Sequence, residues 1–231
     1  MDFNTLKLIA LAVAPTVALG VFIYWRDKWE KEPIHILAIC FALGILSCVM
    51  AAGIELGIGA IWEANTKNVF ETAIEAFLVV GFTEEFCKYI WLRWYAYPKK
   101  EFNEPYDGIT YSVMVSLGFA TFENIFYVLE GGSGTALMRM FTAMPAHTTF
   151  AVIMGFFVGM AKFTHKSKLY NLLGLLMAVL FHGAYDFFLF LDSEPWIALG
   201  AVASLIVGIW LSLKAIKIHR SISPFNRDNN A

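Results

Sequence analysis

The sequence predicts an all-α fold, a polytopic bundle of about seven transmembrane helices with its N-terminus outside and its C-terminus in the cytoplasm. Three observations carry this reading. The 231 residues are 58% hydrophobic and only 16% charged, against roughly 45–50% apolar and about 25% charged in soluble domains. The apolar residues fall into segments of around 20, the length that crosses a bilayer. Lysine and arginine, finally, gather after alternate segments.

The segments read as spans at 6–24, 34–62, 73–95, 109–129, 137–161, 169–191 and 196–216. The first is followed by Arg26, Lys28 and Lys31, a flank that suits a retained helix and not a cleaved signal. The second carries Glu55, which lies near its outer end and reads as reaching the interface. The third carries Glu84, Glu85 and Lys88 and ends in Tyr89, Trp91, Trp94, Tyr95 and Tyr97, an aromatic belt at the cytoplasmic side. Glu71 and Glu75 read as its solvated outer mouth. In the fifth, Pro145 removes a helical hydrogen bond to the carbonyl of Phe141 and predicts a kink near His147.

Orientation follows from the cations. Arg93, Lys99 and Lys100 follow the third span, Lys162, Lys166 and Lys168 the fifth, and Lys214, Lys217, Arg220 and Arg227 the seventh, on the side of Arg26, Lys28 and Lys31. Only Lys7, Lys67 and Arg139 lie on the other side. The positive-inside rule therefore puts those basic loops in the cytoplasm. Residues 1–220 read as one membrane domain and 221–231 as a polar, frayed cytoplasmic tail. The chain belongs in the cell inner (plasma) membrane as a multi-pass protein.

Net charge is −2, so no basic surface points to nucleic acid. The three cysteines, Cys40, Cys48 and Cys87, show no CxxC spacing, which argues against a disulfide framework and a thiolate metal site.

Ionisable residues inside a membrane are costly and default to function. Lys88 projects about 40° from Glu84 and about 60° from Glu85, one helical turn on, and can pair with either. The two carboxylates and the lysine form a coupled unit suited to proton transfer. The fourth span adds Phe119, Glu123 and Asn124 in GFATFEN, the fifth His147 in PAHTTF, the sixth His182 and Asp186 in HGAYDF. The i,i+4 spacing of His182 and Asp186 suits two ligands to one ion, or an aspartate orienting a ligating histidine. At about 1.5 Å per residue, Glu84, Glu123, His147, His182 and Asp186 lie roughly 8–17 Å below the outer ends of their spans, in one slab. The bland counterparts are an ion pair tying helices together and histidines hydrogen-bonded across helices.

At these residues the sequence resembles the PrsW family of bacterial intramembrane proteases, relatives of the CAAX prenyl endopeptidases. The resemblance runs from Glu84 to Phe187 through EEFCK, a DG turn at Asp107 leading to FATFEN, PAHTTF and HGAYDF. Glutamate at 123, where the prenyl endopeptidases carry histidine, fits PrsW better. The resemblance implies a peptidase that cuts a single-pass membrane protein, typically an anti-sigma factor, near the extracytoplasmic face. Glu84 and Glu85 match its acidic pair, Glu123 its FxxxE acid, His182 and Asp186 its HxxxD pair.

Serine-elbow (GxSxG) and HExxH templates are absent. The preferred mechanism is a water activated at a carboxylate–imidazole site with zinc. Glu123, His147 and His182 would be ligands, with Asp186 a fourth ligand or the orienter of His182, and Asn124 in support. Glu84 would be the general base, and Glu85 with Lys88 would tune it and contact substrate. A metal-free glutamate protease uses the same residues. From other classes, a proton-coupled transporter or a noncatalytic membrane scaffold would also employ them.

Overall fold

α1 spans Phe3–Arg26 and α2 Ile34–Gly59 in the computed structural model, which describes residues 3–226. A third rod comes next, in four pieces: α3 (Val69–Ile74), a π-helical stretch (Glu75–Phe82), α4 (Thr83–Trp91) and a second π-helical stretch (Leu92–Ala96). Then come α5 (Pro105–Phe141), α6 (Ala143–Lys162), α7 (Ser167–Phe190), a 3-10 turn (Pro195–Ala198) and α8 (Leu199–Ser221). Among the described residues there is no strand.

Among the described residues, five stretches are long and apolar enough to cross a bilayer: Phe3–Arg26, Ile34–Gly59, Pro105–Lys162, Ser167–Phe190 and Trp196–Ser221. The third of these is a folded-back pair. Gly108, early in α5, packs on Gly155 and Gly159, late in α6, while Ser116 donates to the carbonyl of His147. Those pairings run antiparallel. A Cβ at Gly108 would lie 2.4 Å from the carbonyl oxygen of Gly155, so only glycine admits this approach, the small-residue packing that joins helices in lipid. The rod of α3 and α4 falls outside the five, because no single α-helical piece of it is long enough.

The fold-back is built differently from the sequence expectation. α5 bends at Gly132, whose φ of 75° and ψ of −162° lie where side chains are excluded. Residues 137–141 therefore complete α5 and do not begin the next helix, which starts at Ala143. Pro145 sits in the first turn of α6, where its missing N–H has no helical acceptor to lose. The predicted kink near His147 is absent for that reason. Asp107 and Gly108 likewise form no turn. They lie in the first turn of α5, where Asp107 Oδ2 accepts from the backbone N–H of Asn103 at 2.7 Å and Glu104 at 2.8 Å and caps the helix.

α5 is the hub, touching α1, α2, α6 and α8. Its partners fix it with polar links: Thr16 Oγ1 meets Thr121 Oγ1 at 2.5 Å, and Asn124 Nδ2 donates to the carbonyl of Ala12 at 2.9 Å. α1 and α8 show apolar outer faces, with Val21, Trp25, Ile206 and Trp210 exposed as lipid-facing surface requires. Trp94 is exposed in the expected belt, whereas Tyr89, Tyr95 and Tyr97 pack on the core.

At the end where α1 joins α2 and α5 begins, Asp27, Glu32, Glu104 and Asp107 are all buried. Tyr111 Oη donates to Glu32. Burial, helped by the charge of Asp107, pushes the carboxyl of Asp27 up to about 8 and that of Glu32 up to about 10. Beyond α8, Ser223 and Asn226 are buried and so pack against the bundle. The rest of the expected polar tail, 227–231, lies outside the described residues.

Candidate active site

Glu84, Glu85 and Lys88 stand on α4 directly after the π-helical stretch, and all three are buried. Wide π turns re-aim the side chains beyond them and recur at functional sites. Here Gly81 helps, since a Cβ on it would lie 3.2 Å from the backbone nitrogen of Gly183 on α7. The two backbones meet at the level of His182.

Lys88 Nζ donates to Glu84 Oε2 at 3.1 Å and to Glu85 Oε1 at 2.8 Å, lies 3.3 Å from His147 Nδ1, and sits 3.9 Å above the Phe119 ring. With the ammonium donating toward Nδ1, His147 presents Nε2–H to Glu123 Oε2 at 3.0 Å. Glu123 Oε2 also pairs with Arg139 Nη2 at 2.9 Å, and Arg139 Nε donates to Asn124 Oδ1 at 2.7 Å. His182 is held from two sides. Its Nδ1 lies 2.9 Å from Glu85 Oε1, and its Nε2 lies 3.2 Å from Asp186 Oδ2 and 3.8 Å from Glu84 Oε2. The His147 and His182 rings stand 5.2 Å apart at 89°, and Phe150 stacks on His182 at 4.9 Å.

All eight residues marked out in the sequence thus meet in one connected network. Their ranks differ from the expectation. Glu84, Glu85, His147 and His182 each offer a donor atom within 4.8 Å of the others, all buried. Glu123, expected as a ligand, and Asp186, expected as a fourth ligand or the orienter of His182, fall outside this group, each paired with one imidazole. Asn124 supports Arg139. Cys87 is a free, buried residue packed with Cys48, Ala51 and Phe119.

The donor chemistry fits a metal. Two carboxylates and two imidazoles are oxygen and nitrogen ligands of the kind zinc takes. Four carboxylates, Glu84, Glu85, Glu123 and Asp186, face two fixed cations, Lys88 and Arg139. With neutral imidazoles the network carries two uncompensated negative charges, which one divalent cation would balance.

A cavity of about 940 Å3 opens onto this network. Glu84, Glu123, His147, His182 and Asp186 line it, and Glu85 and Lys88 do not. Of the adjacent glutamates, Glu84 therefore faces the reaction space. The lining runs out to the ends of helices at Leu56, Met138, Thr142 and Phe190, opposite the basic loops, where Leu56 and Met138 are exposed.

Two lining residues escaped the sequence reading. Glu55, expected at the interface, is in the cavity wall. Its spacing of four from Ala51 and seven from Cys48, both buried, is the helical signal that marks it as inward-facing. Arg139, expected as a loop cation, reaches back from the far side of the Gly132 bend, over the Tyr127 ring at 4.0 Å. No local pattern reveals that reach.

Acids and imidazoles gathered around a cavity, inside a bundle of apolar helices, are the arrangement of a membrane-embedded enzyme. Comparison with known proteins narrows this class. A model of the PrsW family of intramembrane metalloproteases matches residues 32–213. Protease PrsW of Geobacillus kaustophilus (strain HTA426) is 41% identical, over 82% of this chain and 82% of its own length. Protease PrsW of Shouchella clausii (strain KSM-K16) is 36% identical, over 89% and 93%. Protease PrsW of Bacillus subtilis (strain 168) is 34% identical, over 94% and 97%. No solved structure matches the chain. The chain belongs to the PrsW family of intramembrane metalloproteases. It is a multi-pass membrane protease, and its substrate is a protein of the membrane.

Proposed function

We propose that this protease uses zinc to cut a single-pass membrane protein of the anti-sigma-factor kind near the extracytoplasmic face, within one catalytic domain formed by residues 1–220. The observation that carries the proposal is the division of labour between the paired acids. Glu84 lines the cavity while Glu85 is withdrawn onto His182 and Lys88.

Glu85, His147 and His182 would hold the metal, a set of three carboxylate and imidazole ligands of the kind catalytic zinc takes. When bound, zinc supplies a Lewis acid that makes a water acidic near neutral pH. Glu84 takes the proton of the attacking water and returns it to the leaving amine, the two proton transfers that peptide hydrolysis requires. Asp186 and Glu123 hold the two imidazoles in orientation, and Arg139 holds Glu123. The apolar cavity walls keep bulk water from the acids. The charge-based orientation and the mouth opposite the basic loops support cleavage near the outer face, and the anti-sigma class rests on the family resemblance.

A second reading has its own observation. The Lys88 ammonium lies within 3.3 Å of atoms of Glu84, Glu85 and His147, so a fixed lysine stands where a metal would balance the same charges. That geometry suits a metal-free glutamate protease with Glu84 as base. Both readings are tested on purified protein in detergent with a single-pass reporter substrate, by elemental analysis and by cleavage before and after chelation. Stoichiometric zinc, with activity lost on chelation and restored by zinc, supports the first reading. Full activity without metal overturns it and supports the second. Cleavage by a Glu84→Gln variant at the wild-type rate overturns both.

A further inference from the structure

Four carboxylates line the cavity, and three have a counter-group. Glu84 has Lys88, Glu123 has His147 and Arg139, and Asp186 has His182. Glu55, on the α2 wall, is different. Its Oε1 is shut off from solvent, yet no donor or cation reaches it. The one cation of the cavity lining, Arg139, is committed to Glu123, Asn124 and the Tyr127 ring. Glu55 is half-buried, and a carboxylate oxygen shut off from solvent without a donor is costly unless something else completes it.

The surroundings of Glu55 say what that is. Ala52, Leu56 and Val80 line the same cavity and give the Glu55 carboxylate an apolar flank, while the other three lining acids already have counter-groups. Lysine and arginine match this pattern, laying an alkyl stem along apolar surface and placing a charged head at its end. We infer that Glu55 is a specificity subsite that binds a lysine or arginine side chain of the substrate close to the scissile bond. This rests on the peptidase reading above and adds to it a substrate residue of stated charge. Glu55 Oε1 has no hydrogen-bond partner among the described residues, so replacing it by an amide breaks no contact of that oxygen.

The test uses the full-length protein in detergent and a set of single-pass reporters in which each position flanking the cut carries Lys, Leu or Asp in turn. Wild-type protein prefers Lys at one position by roughly ten- to a hundredfold in kcat/KM, the range that a hydrogen bond to a charged group supports. Glu55→Gln, which keeps the shape and loses the charge, abolishes that preference while cutting the Leu reporter at the wild-type rate, which also shows that the variant is folded. Glu55→Lys shifts the preference to Asp at the same position. A Lys preference that survives in Glu55→Gln, or a wild-type enzyme indifferent to charge at every position, overturns the subsite and leaves the peptidase reading intact. Wild-type protein that cuts no reporter overturns both.

Discussion

Glu85 Oε1 and His182 Nδ1 meet at 2.9 Å, although 97 residues of chain separate them. The contact holds Glu85 away from the cavity and leaves its neighbour Glu84 in the cavity wall. Two identical side chains, adjacent in sequence, thereby have different surroundings, and the proposed mechanism gives them different work.

That division predicts different losses. Glu84→Gln lowers kcat by roughly 10²–10⁴-fold, the usual contribution of a general base, leaves metal content unchanged and, losing only its contact with Lys88, lowers thermal stability less than the change at Glu85. Glu85→Gln lowers metal content and stability together, because it cuts contacts to both Lys88 and His182. The check is cleavage rate, elemental analysis and Tm on both variants side by side. Equal profiles for the two would contradict the assignment.

Lys88 sets up a second experiment. Lys88→Met leaves the buried acids without their ammonium, and removing one partner of a buried ion pair costs about 3–5 kcal/mol. If a metal occupies the site, zinc offsets that loss. Its addition then raises the Tm of Lys88→Met more than that of the wild type. Differential scanning fluorimetry across a zinc titration reads this directly, and a Tm indifferent to zinc in both proteins favours the metal-free enzyme.

The buried acids at the opposite end predict a pH dependence unrelated to catalysis. Asp27 is pushed from 3.8 to about 8 and Glu32 from 4.5 to about 10, burial being the largest cause in each. Asp107 and Glu104 add repulsion on Asp27, and Lys31 opposes it. A raised acid binds its proton more tightly folded than unfolded, so its stabilisation is full at low pH and fades as pH rises. Over the window from about 4 to about 8 each group loses up to about 1.4 kcal/mol per pH unit. Tm should therefore fall between pH 5 and pH 8, and Asp27→Asn should flatten the slope. A Tm that rises over this window would reverse the sign and refute the reading.

Gly132 ties the bend of α5 to the site. Its φ of 75° and ψ of −162° cost a side-chain-bearing residue about 1–3 kcal/mol. Gly132→Ala should lower Tm by a few degrees and displace the segment that brings Arg139 to Glu123. Arg139→Met should reproduce its loss of cleavage without the strain. A Gly132→Ala protein with wild-type Tm and activity would show that the bend is not required.

Much of this molecule was legible residue by residue. Long apolar runs specify membrane helices because lipid leaves a backbone no other means of satisfying its polar groups. Contacts within a single helix followed from its pitch: Lys88 with Glu84 and Glu85, and His182 with Asp186, are i,i+3 or i,i+4 neighbours and do pair. The metal-ligand ranking was not legible in the same way. Helical pitch gives the angle of a side chain about its own axis and nothing about how that axis is turned toward others. That rotation is set by close glycine contacts such as Gly81 with Gly183 and by the π turns of Glu75–Phe82, which shift the register of everything after them. Glu123 and Asp186 therefore pair with the imidazoles outside the four-residue donor group, and Glu55 and Arg139 line the cavity with them. Chain chemistry supplied the acids and the imidazoles; packing between helices chose which of the two adjacent glutamates lines the cavity.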